Sequence, residues 1–213
     1  MDFLSWLQIV MVCALGAMSP GPSLAIVFRN TIKGGKKSGV FTAVGHGLGI
    51  CIYAGLVVTG LSVALVTNPQ LRVVIDYVGA TLLLWLGLAF IGIKLPLFSG
   101  MAAKNVSKRM EHYSHEGFVS GLLVALLNPK IAVFFLAVFS PFLRSEADVI
   151  EKAILIVTAG GIDLVWYAVV ALVFSGSIVN HGLERHAIKI EKTIGGFLIF
   201  LAIGLMDLSF GYE

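Results

Sequence analysis

The sequence has very little charge for its length. Of its 213 residues, only 13% are Asp, Glu, Lys or Arg, while 58% are hydrophobic. Soluble domains usually contain about 25% charged residues, and so apolar a chain has too little polar surface to cover a soluble core. The mean hydropathy of +0.95 agrees. Because apolar stretches of about 20 residues recur along the chain, the composition predicts an all-α integral membrane protein.

Other features are scarce or missing, and each one excludes a class of function. The two cysteines, Cys13 and Cys51, lie in apolar segments, which excludes a secreted disulfide framework. The chain has no Gly-x-x-x-x-Gly-Lys-Ser/Thr loop, so ATP-driven transport by this chain alone is not predicted. No basic patch interleaved with aromatic residues points to nucleic acid. No metal-ligand spacing is present, and no cofactor is expected.

Six windows are long and apolar enough to cross a membrane, which requires about 20 residues each. These windows are 3–28, 39–66, 73–98, 117–142, 150–174 and 194–210. The first window lacks the positively charged start of a cleaved signal peptide, so we expect it to be retained. The whole chain, 1–213, is therefore predicted to form a single transmembrane domain.

Basic residues alternate between the connections of these windows. The first, third and fifth connections contain most of the 15 Lys and Arg residues, for example Lys33, Lys36, Lys104, Lys108 and Lys189. Basic loops stay on the cytoplasmic side of a membrane. The pattern therefore places these three connections in the cytoplasm and both termini outside.

The two halves of the chain, approximately 1–98 and 117–213, resemble each other weakly and are joined by a predicted cytoplasmic loop, 99–116. Pro20-Gly-Pro22 interrupts the first span, and Asn128-Pro-Lys130 interrupts the fourth. Three spans followed by three related spans have opposite orientations. The chain is therefore predicted to be a 3+3 inverted repeat, a common plan of secondary transporters.

The two proline motifs are the candidate substrate site. Proline removes a backbone donor and breaks a helix, and broken backbone inside a membrane must be buried in protein or line a wet cavity. The new helix directs free amides with partial positive charge toward a carboxylate. A packing kink is the alternative explanation of either proline alone. The motif residues expected to bind substrate are Pro20, Gly21, Pro22, Ser23, Asn128, Pro129 and Lys130.

Ionisable residues at membrane depth are costly and are usually functional. Asp163 lies near the middle of the fifth span, and Tyr167 follows one turn later on the same face. We expect both to contact substrate, with the Asp163 carboxylate binding an ammonium group or carrying a proton. Lys130 either pairs with Asp163 or contacts the substrate carboxylate, and both options stay open. His46 is a second candidate for proton transfer, with a structural helix–helix hydrogen bond as the other explanation.

These motifs together resemble the LysE/RhtB family of amino-acid exporters. The resemblance rests on Ser19-Pro-Gly-Pro-Ser23, Gly34-Gly-Lys-Lys-Ser-Gly39, Gly45-His-Gly-Leu-Gly49 and Asn128-Pro-Lys-Ile-Ala-Val-Phe-Phe135, whose spacing extends it over nearly the whole chain. It implies efflux of amino acids or their derivatives across the bacterial inner membrane by a homodimer, driven by the proton gradient or the membrane potential. Members often have Asn at the position of Ser23 and an acidic residue near Gly49 or Ile50, and this chain has neither.

Two other functions compete with this prediction. A metal- or inorganic-ion exporter requires several converging ligands, and the candidates are limited to Asp163, His46, Cys13 and Cys51. A membrane thiol oxidoreductase would use the two cysteines, but they lie in one half of the repeat and not beside the prolines. The predicted function is therefore a secondary exporter, not an enzyme, that works by alternating access around the two broken helices.

Overall fold

The computed structural model describes the chain as a set of α-helices. The described residues are 3–19, 21–68, 71–93, 117–139, 148–173, 189, 192–204 and 206. The helices are α1 (Phe3–Met18), α2 (Pro22–Thr67), α3 (Leu71–Ile91), α4 (Gly117–Leu127), α5 (Pro129–Phe139), α6 (Val149–Val173) and α7 (Lys192–Gly204). The all-α prediction is confirmed for this part of the chain. The predicted loop 99–116, both termini and Pro20 lie outside the described residues.

Helix α2 folds back on itself at Gly35. As a straight rod its 46 residues would measure about 69 Å, at 1.5 Å per residue, yet Ser23 Oγ lies 2.8 Å from His46 Nε2. Gly35 has φ 75° and ψ −180°, a left-handed conformation that glycine adopts most easily. The two arms of α2, 22–34 and 36–67, are therefore antiparallel. A tight turn joins the first two predicted spans, in place of the expected longer loop.

Helices α4 and α5 form a second bent pair. They meet at Asn128, where the axis bends by 61°. Pro129 is the first residue of α5, a position where the missing amide hydrogen is tolerated. Asn128 caps the new helix, because its Oδ1 accepts the Lys130 amide hydrogen at 3.0 Å. The breaks predicted at the two proline motifs are thus both present, since α1 also ends at Met18 and α2 begins at Pro22.

Three of the described helices, α2, α3 and α6, are long and apolar enough to cross a membrane. The number is four when the bent pair of α4 and α5 is taken as one span. Helices α1 and α7 are apolar but shorter. Several apolar helices are therefore compatible with a membrane protein, and the predicted six spans are matched in part within the described ranges.

The distribution of polarity is that of a membrane protein. Leu56, Val157 and Phe200 are 66–70% exposed, whereas His46 and Asn30 are 1% exposed. Apolar side chains face lipid at no cost, but polar groups away from water require partners inside the protein. The helices accordingly present apolar side chains outward and collect polar side chains between them.

Glycines let the helices approach one another closely around His46. A Cβ atom added to Gly45 would collide with the Phe118 carbonyl oxygen of α4. On the other side, a Cβ atom on Gly47 would lie 3.0 Å from the Gly160 carbonyl oxygen of α6, and one on Gly160 would lie 2.9 Å from the Gly47 oxygen. Small residues commonly allow such contacts in membranes. The second arm of α2 is therefore held tightly between α4 and α6.

Candidate functional site

A cavity lies where the two helix breaks meet. Its lining includes the predicted site residues Gly21, Pro22, Ser23, His46, Asn128, Lys130, Asp163 and Tyr167. The space inside it that is open to the centres of water-sized molecules is about 50 Å³. Pro129 begins α5 at the same break, and Pro20 lies outside the described residues. The structure therefore brings together residues from both halves of the sequence.

His46 connects the first arm of α2 to α6 through hydrogen bonds. Its Nδ1 atom lies 2.6 Å from Asp163 Oδ2, and its Nε2 atom lies 2.8 Å from Ser23 Oγ. An ionised carboxylate only accepts hydrogen bonds, so Nδ1 donates to Asp163. At Nε2 a neutral imidazole accepts the Ser23 hydroxyl hydrogen, whereas an imidazolium donates to the hydroxyl oxygen. The same arrangement therefore accommodates both charge states of His46.

Asp163 is buried and has an acceptor available on the cavity. The residue is 6% exposed, and His46 occupies its Oδ2 atom. Within the described ranges, no hydrogen bond reaches its Oδ1 atom. Asp163 also lines the cavity. A donor entering the cavity, such as an ammonium group, can therefore form a charge-assisted hydrogen bond with this carboxylate.

Tyr167 holds the imidazole from the side. Its ring lies edge-on to the His46 ring, with the centroids 4.9 Å apart and an interplanar angle of 71°. Such edge-to-face pairs favour one ring orientation. Tyr167 is 2% exposed. This predicted substrate contact therefore lines the cavity and also orients the histidine.

Lys130 marks another side of the cavity. Its ammonium donates to Ser19 Oγ at 2.6 Å and lies 4.4 Å from the centroid of the Phe90 ring, a distance at which a cation is attracted to an aromatic face. A Cβ atom on Gly21 would lie 3.8 Å from Nζ, so the ammonium is close to the start of α2. The ion pair that the structure contains for Asp163 is with His46.

The two helix starts at the breaks differ in how their amides are used. In α5, Asn128 Oδ1 accepts the Lys130 amide hydrogen. In α2, Gly21 provides no side-chain cap, so the amides of Ser23 and Leu24 in the first turn lack intrahelical acceptors. These amides and the Lys130 ammonium together concentrate positive charge at the start of α2. That arrangement suits an anionic group such as a carboxylate.

Sequence reasoning missed the apolar part of the site. Cys13, Gly16, Ile50, Phe90 and Phe134 line the same cavity. In an apolar span these residue types resemble any lipid-facing or core residue, so composition does not reveal them. Helical spacing was the available signal, because Phe134 follows Lys130 by one turn and Gly16 precedes Ser19 by about one turn.

The thiols and the potential metal ligands have other surroundings. Both cysteines are free. Cys13 lines the cavity, and Cys51 Sγ lies 3.8 Å from the Ile156 carbonyl oxygen. In the part of the chain that the structure describes, no three His, Cys, Asp or Glu side chains are grouped to hold a metal ion.

Known proteins that resemble this chain include a threonine efflux protein and proteins named as membrane proteins. The threonine efflux protein of Escherichia coli (strain K12) is 27% identical over 208 residues, covering 94% of this chain and 95% of the relative. An uncharacterized membrane protein of Haemophilus influenzae is 27% identical over 212 residues, with 93% of each chain covered. The uncharacterized membrane protein YrhP of Bacillus subtilis (strain 168) is 26% identical over 155 residues, covering 71% of this chain and 74% of the relative. No solved structure matches. The model of the family described as LysE type translocator matches residues 14–208, as the motifs predicted, and the chain therefore belongs to the LysE family.

Proposed function

We propose that this transporter exports amino acids or close derivatives across the bacterial inner membrane, by alternating access around its two helix breaks. The observation that carries the proposal is the separation of charge in the cavity. Asp163 provides a carboxylate, while Lys130 and the start of α2 provide positive charge. A zwitterion has a positive end that matches Asp163 and a negative end that matches Lys130 and the start of α2. Membership of a translocator family and the relatives named threonine efflux protein support an amino-acid cargo at the level of the family.

The cargo binds with each charged end at a separate group. Its ammonium donates to Asp163 Oδ1, the oxygen that His46 does not occupy. Its carboxylate accepts from the first amides of α2 and from Lys130, the ammonium of which is already positioned by Ser19 and Phe90. Charge-assisted hydrogen bonds of this kind are roughly twice as strong as neutral ones.

Export is coupled to protons through competition at Asp163. A protonated His46 and a cargo ammonium both neutralise the same carboxylate, so each one weakens the binding of the other. On the outer side, protonation of His46 displaces the cargo. On the inner side, cargo binding favours release of the proton. One cargo molecule therefore leaves the cell as a proton enters, which is antiport.

The proposal includes a 3+3 inverted repeat of six spans, with repeat halves 1–98 and 117–213. Two observations support it, namely that both helix breaks border one cavity and that Gly47 and Gly160 approach each other reciprocally. The exposed Lys33, Lys36 and Lys37 flank the turn at Gly35, and basic residues favour the cytoplasm. Both termini are then outside. A homodimer is proposed from the family resemblance.

Efflux from proteoliposomes tests this function. Vesicles are loaded with labelled amino acids, and efflux is followed with and without an uncoupler. The Asp163→Asn substitution preserves the shape of the side chain and removes its charge, so we expect efflux to fall at least tenfold, equivalent to roughly 1.4 kcal/mol of binding free energy. Asp148→Asn is the matched control, because Asp148 is exposed before the same helix and its capping bond to the Glu151 amide survives as Asn.

Two results would contradict the proposal at different levels. Unchanged efflux in folded Asp163→Asn protein would exclude the proposed role of this carboxylate. No efflux of any amino acid from folded wild-type protein would reject amino-acid export altogether and would favour an inorganic ion or thiol chemistry at Cys13 and Cys51.

A further inference from the structure

The C-terminal end of α1, with Ser19 just beyond it, contacts α5 along the cavity through two successive residue pairs. Ser19 Oγ accepts a hydrogen bond from Lys130 Nζ. About one turn away, Gly16 faces Phe134, and a Cβ atom on Gly16 would lie 2.5 Å from Phe134 Cζ. From the first pair to the second, the residue number decreases on the α1 side, from Ser19 to Gly16, and increases along α5, from Lys130 to Phe134. The two helices are therefore antiparallel here. The first pair is polar, and the second places the tip of an aromatic ring against bare backbone.

The Phe134 ring is held on two sides. It is 8% exposed, and it lies perpendicular to the Phe135 ring with the centroids 5.5 Å apart. Phe135 in turn contacts Phe139, with a centroid distance of 5.1 Å. Aromatic pairs of this geometry stabilise one arrangement of the rings. Phe134 therefore forms one wall of the cavity, and Gly16 and Phe135 restrain the position of its ring from two sides.

In the proposed binding mode, the two ends of the cargo use the carboxylate and the ammonium group of the cavity. The Asp, Lys and His residues in its described lining are Asp163, Lys130 and His46. Asp163 receives the cargo ammonium and Lys130 the cargo carboxylate, while His46 contacts Asp163. A third charge on the cargo would therefore remain unpaired beside Phe134 and Ile131, and an unpaired charge in apolar surroundings is very costly.

We propose that Gly16 and Phe134 form the side-chain subsite, and that the cargo is an α-amino acid with an uncharged side chain whose size this pair limits. The inference rests on the proposed function, because the binding of the two charged ends leaves the apolar part of the cavity to the side chain. Gly16 sets how far the Phe134 ring retreats toward α1. Phe134 in turn determines how large a side chain enters.

Counterflow with a graded panel of cargo tests the subsite. The panel contains alanine, threonine, valine, leucine and phenylalanine, with lysine and glutamate as charged probes. We expect wild-type protein to transport the smaller neutral members and to reject lysine and glutamate. Phe134→Ala and the milder Phe134→Leu are expected to raise the leucine-to-alanine transport ratio at least tenfold, since one methylene group in a pocket changes selectivity by roughly 10–200-fold.

Gly16→Ala is expected to act in the opposite direction. The new methyl group pushes the Phe134 ring away from α1, so the leucine-to-alanine ratio falls, and the double variant Gly16→Ala with Phe134→Leu returns toward the wild-type ratio. Leu136→Ala is the matched control, because Leu136 lies on the same helix but is 38% exposed. Its ratio is expected to stay unchanged.

Each outcome separates the subsite from the general function. An unchanged ratio in active Phe134→Leu and Gly16→Ala proteins overturns the subsite while leaving amino-acid export intact. Wild-type transport of lysine or glutamate at rates comparable to alanine would contradict the proposal that the cargo has an uncharged side chain. If wild-type protein transports none of the panel, the proposed function fails, and the subsite fails with it.

Discussion

Two buried polar clusters connect α2 to its neighbours, and their chemistry differs. The charged cluster consists of Ser23, His46 and Asp163 and connects α2 to α6. The neutral cluster consists of Asn30, Thr42 and Ser120 and connects α2 to α4. In the neutral cluster, Asn30 Nδ2 donates to Thr42 Oγ1 at 2.9 Å and to Ser120 Oγ at 2.7 Å. Each cluster therefore contains side chains from both arms of α2 and from one further helix.

The clusters also differ in their surroundings. The residues of the charged cluster line the cavity, whereas those of the neutral cluster are not part of its lining. The neutral cluster is closely packed instead, since a Cβ atom on Gly121 would collide with the Thr42 carbonyl oxygen. Its hydroxyl groups also donate to backbone carbonyls, Thr42 to Ser38 at 2.8 Å and Ser120 to Gly117 at 2.9 Å.

The two clusters are suited to different roles within one pair of arms. Neutral hydrogen bonds between helices stabilise a membrane protein modestly, and they favour tight packing without water. A buried charge pair is weak evidence for stability, because desolvation offsets much of the attraction. We therefore expect substitutions in the neutral cluster to change stability, and substitutions in the charged cluster to change transport.

The largest effect is expected at the glycine contact beside the charged cluster. Gly45→Ala places a methyl group into the Phe118 carbonyl oxygen, so α2 and α4 must separate, at a cost of about 1–3 kcal/mol or more. Thermal unfolding in detergent measures the loss. Gly60→Ala is the control, because the same helix leaves open space at Gly60. Equal unfolding midpoints for the two variants would mean that this close contact does not stabilise the fold.

The next effect is on transport, at His46. His46→Gln retains hydrogen-bonding groups but cannot carry a proton, so the proposed competition between a proton and the cargo at Asp163 would be lost. Efflux is expected to fall at least tenfold, with roughly 1.4 kcal/mol of coupling lost, and to become insensitive to an uncoupler. The unfolding midpoint should change little. Proton-driven efflux that persists in this variant would show that His46 is not the residue that couples transport to protons.

A smaller effect, on stability, is expected at Asn30. Asn30→Ala removes both hydrogen bonds of the neutral cluster, but it also removes Oδ1, a buried atom with no partner among the described residues. The two terms partly cancel, so the net loss is about 1 kcal/mol of unfolding free energy. Efflux per folded molecule should equal that of wild type. A transport defect in fully folded protein would show that the neutral cluster takes part in transport.

The smallest effects are expected from one matched substitution in each cluster. Ser23→Ala removes the hydroxyl group that contacts His46 and, at 3.5 Å, Asn128. It is expected to lower efflux by roughly two- to fivefold, equivalent to less than about 1 kcal/mol, without a change in the midpoint. Ser120→Ala is expected to lower the unfolding free energy by less than about 1 kcal/mol, with efflux unchanged. Identical behaviour of the two variants would remove the distinction between the clusters.

Much of the architecture followed from local features of the sequence. Long apolar stretches predict membrane helices because the bilayer leaves backbone groups no other partner, and the helix breaks occur at the predicted proline motifs because proline lacks the amide hydrogen. The turn at Gly35 was harder to predict, because α2 keeps its helical conformation on both sides of a single left-handed glycine. A basic, glycine-containing stretch was therefore expected to be a longer loop than it is.

The membrane helices and the positions of their breaks thus followed from the sequence alone, since each depends on residues within a turn or two of helix. The partners were decided by the tertiary structure. Asp163 pairs with His46, 117 positions away, and Lys130 donates to Ser19, 111 positions away. Sequence spacing carries no information about which helices pack side by side. Close packing of the helices, in part at glycines, brings α1, α2, α5 and α6 around one cavity and places Phe134 against Gly16.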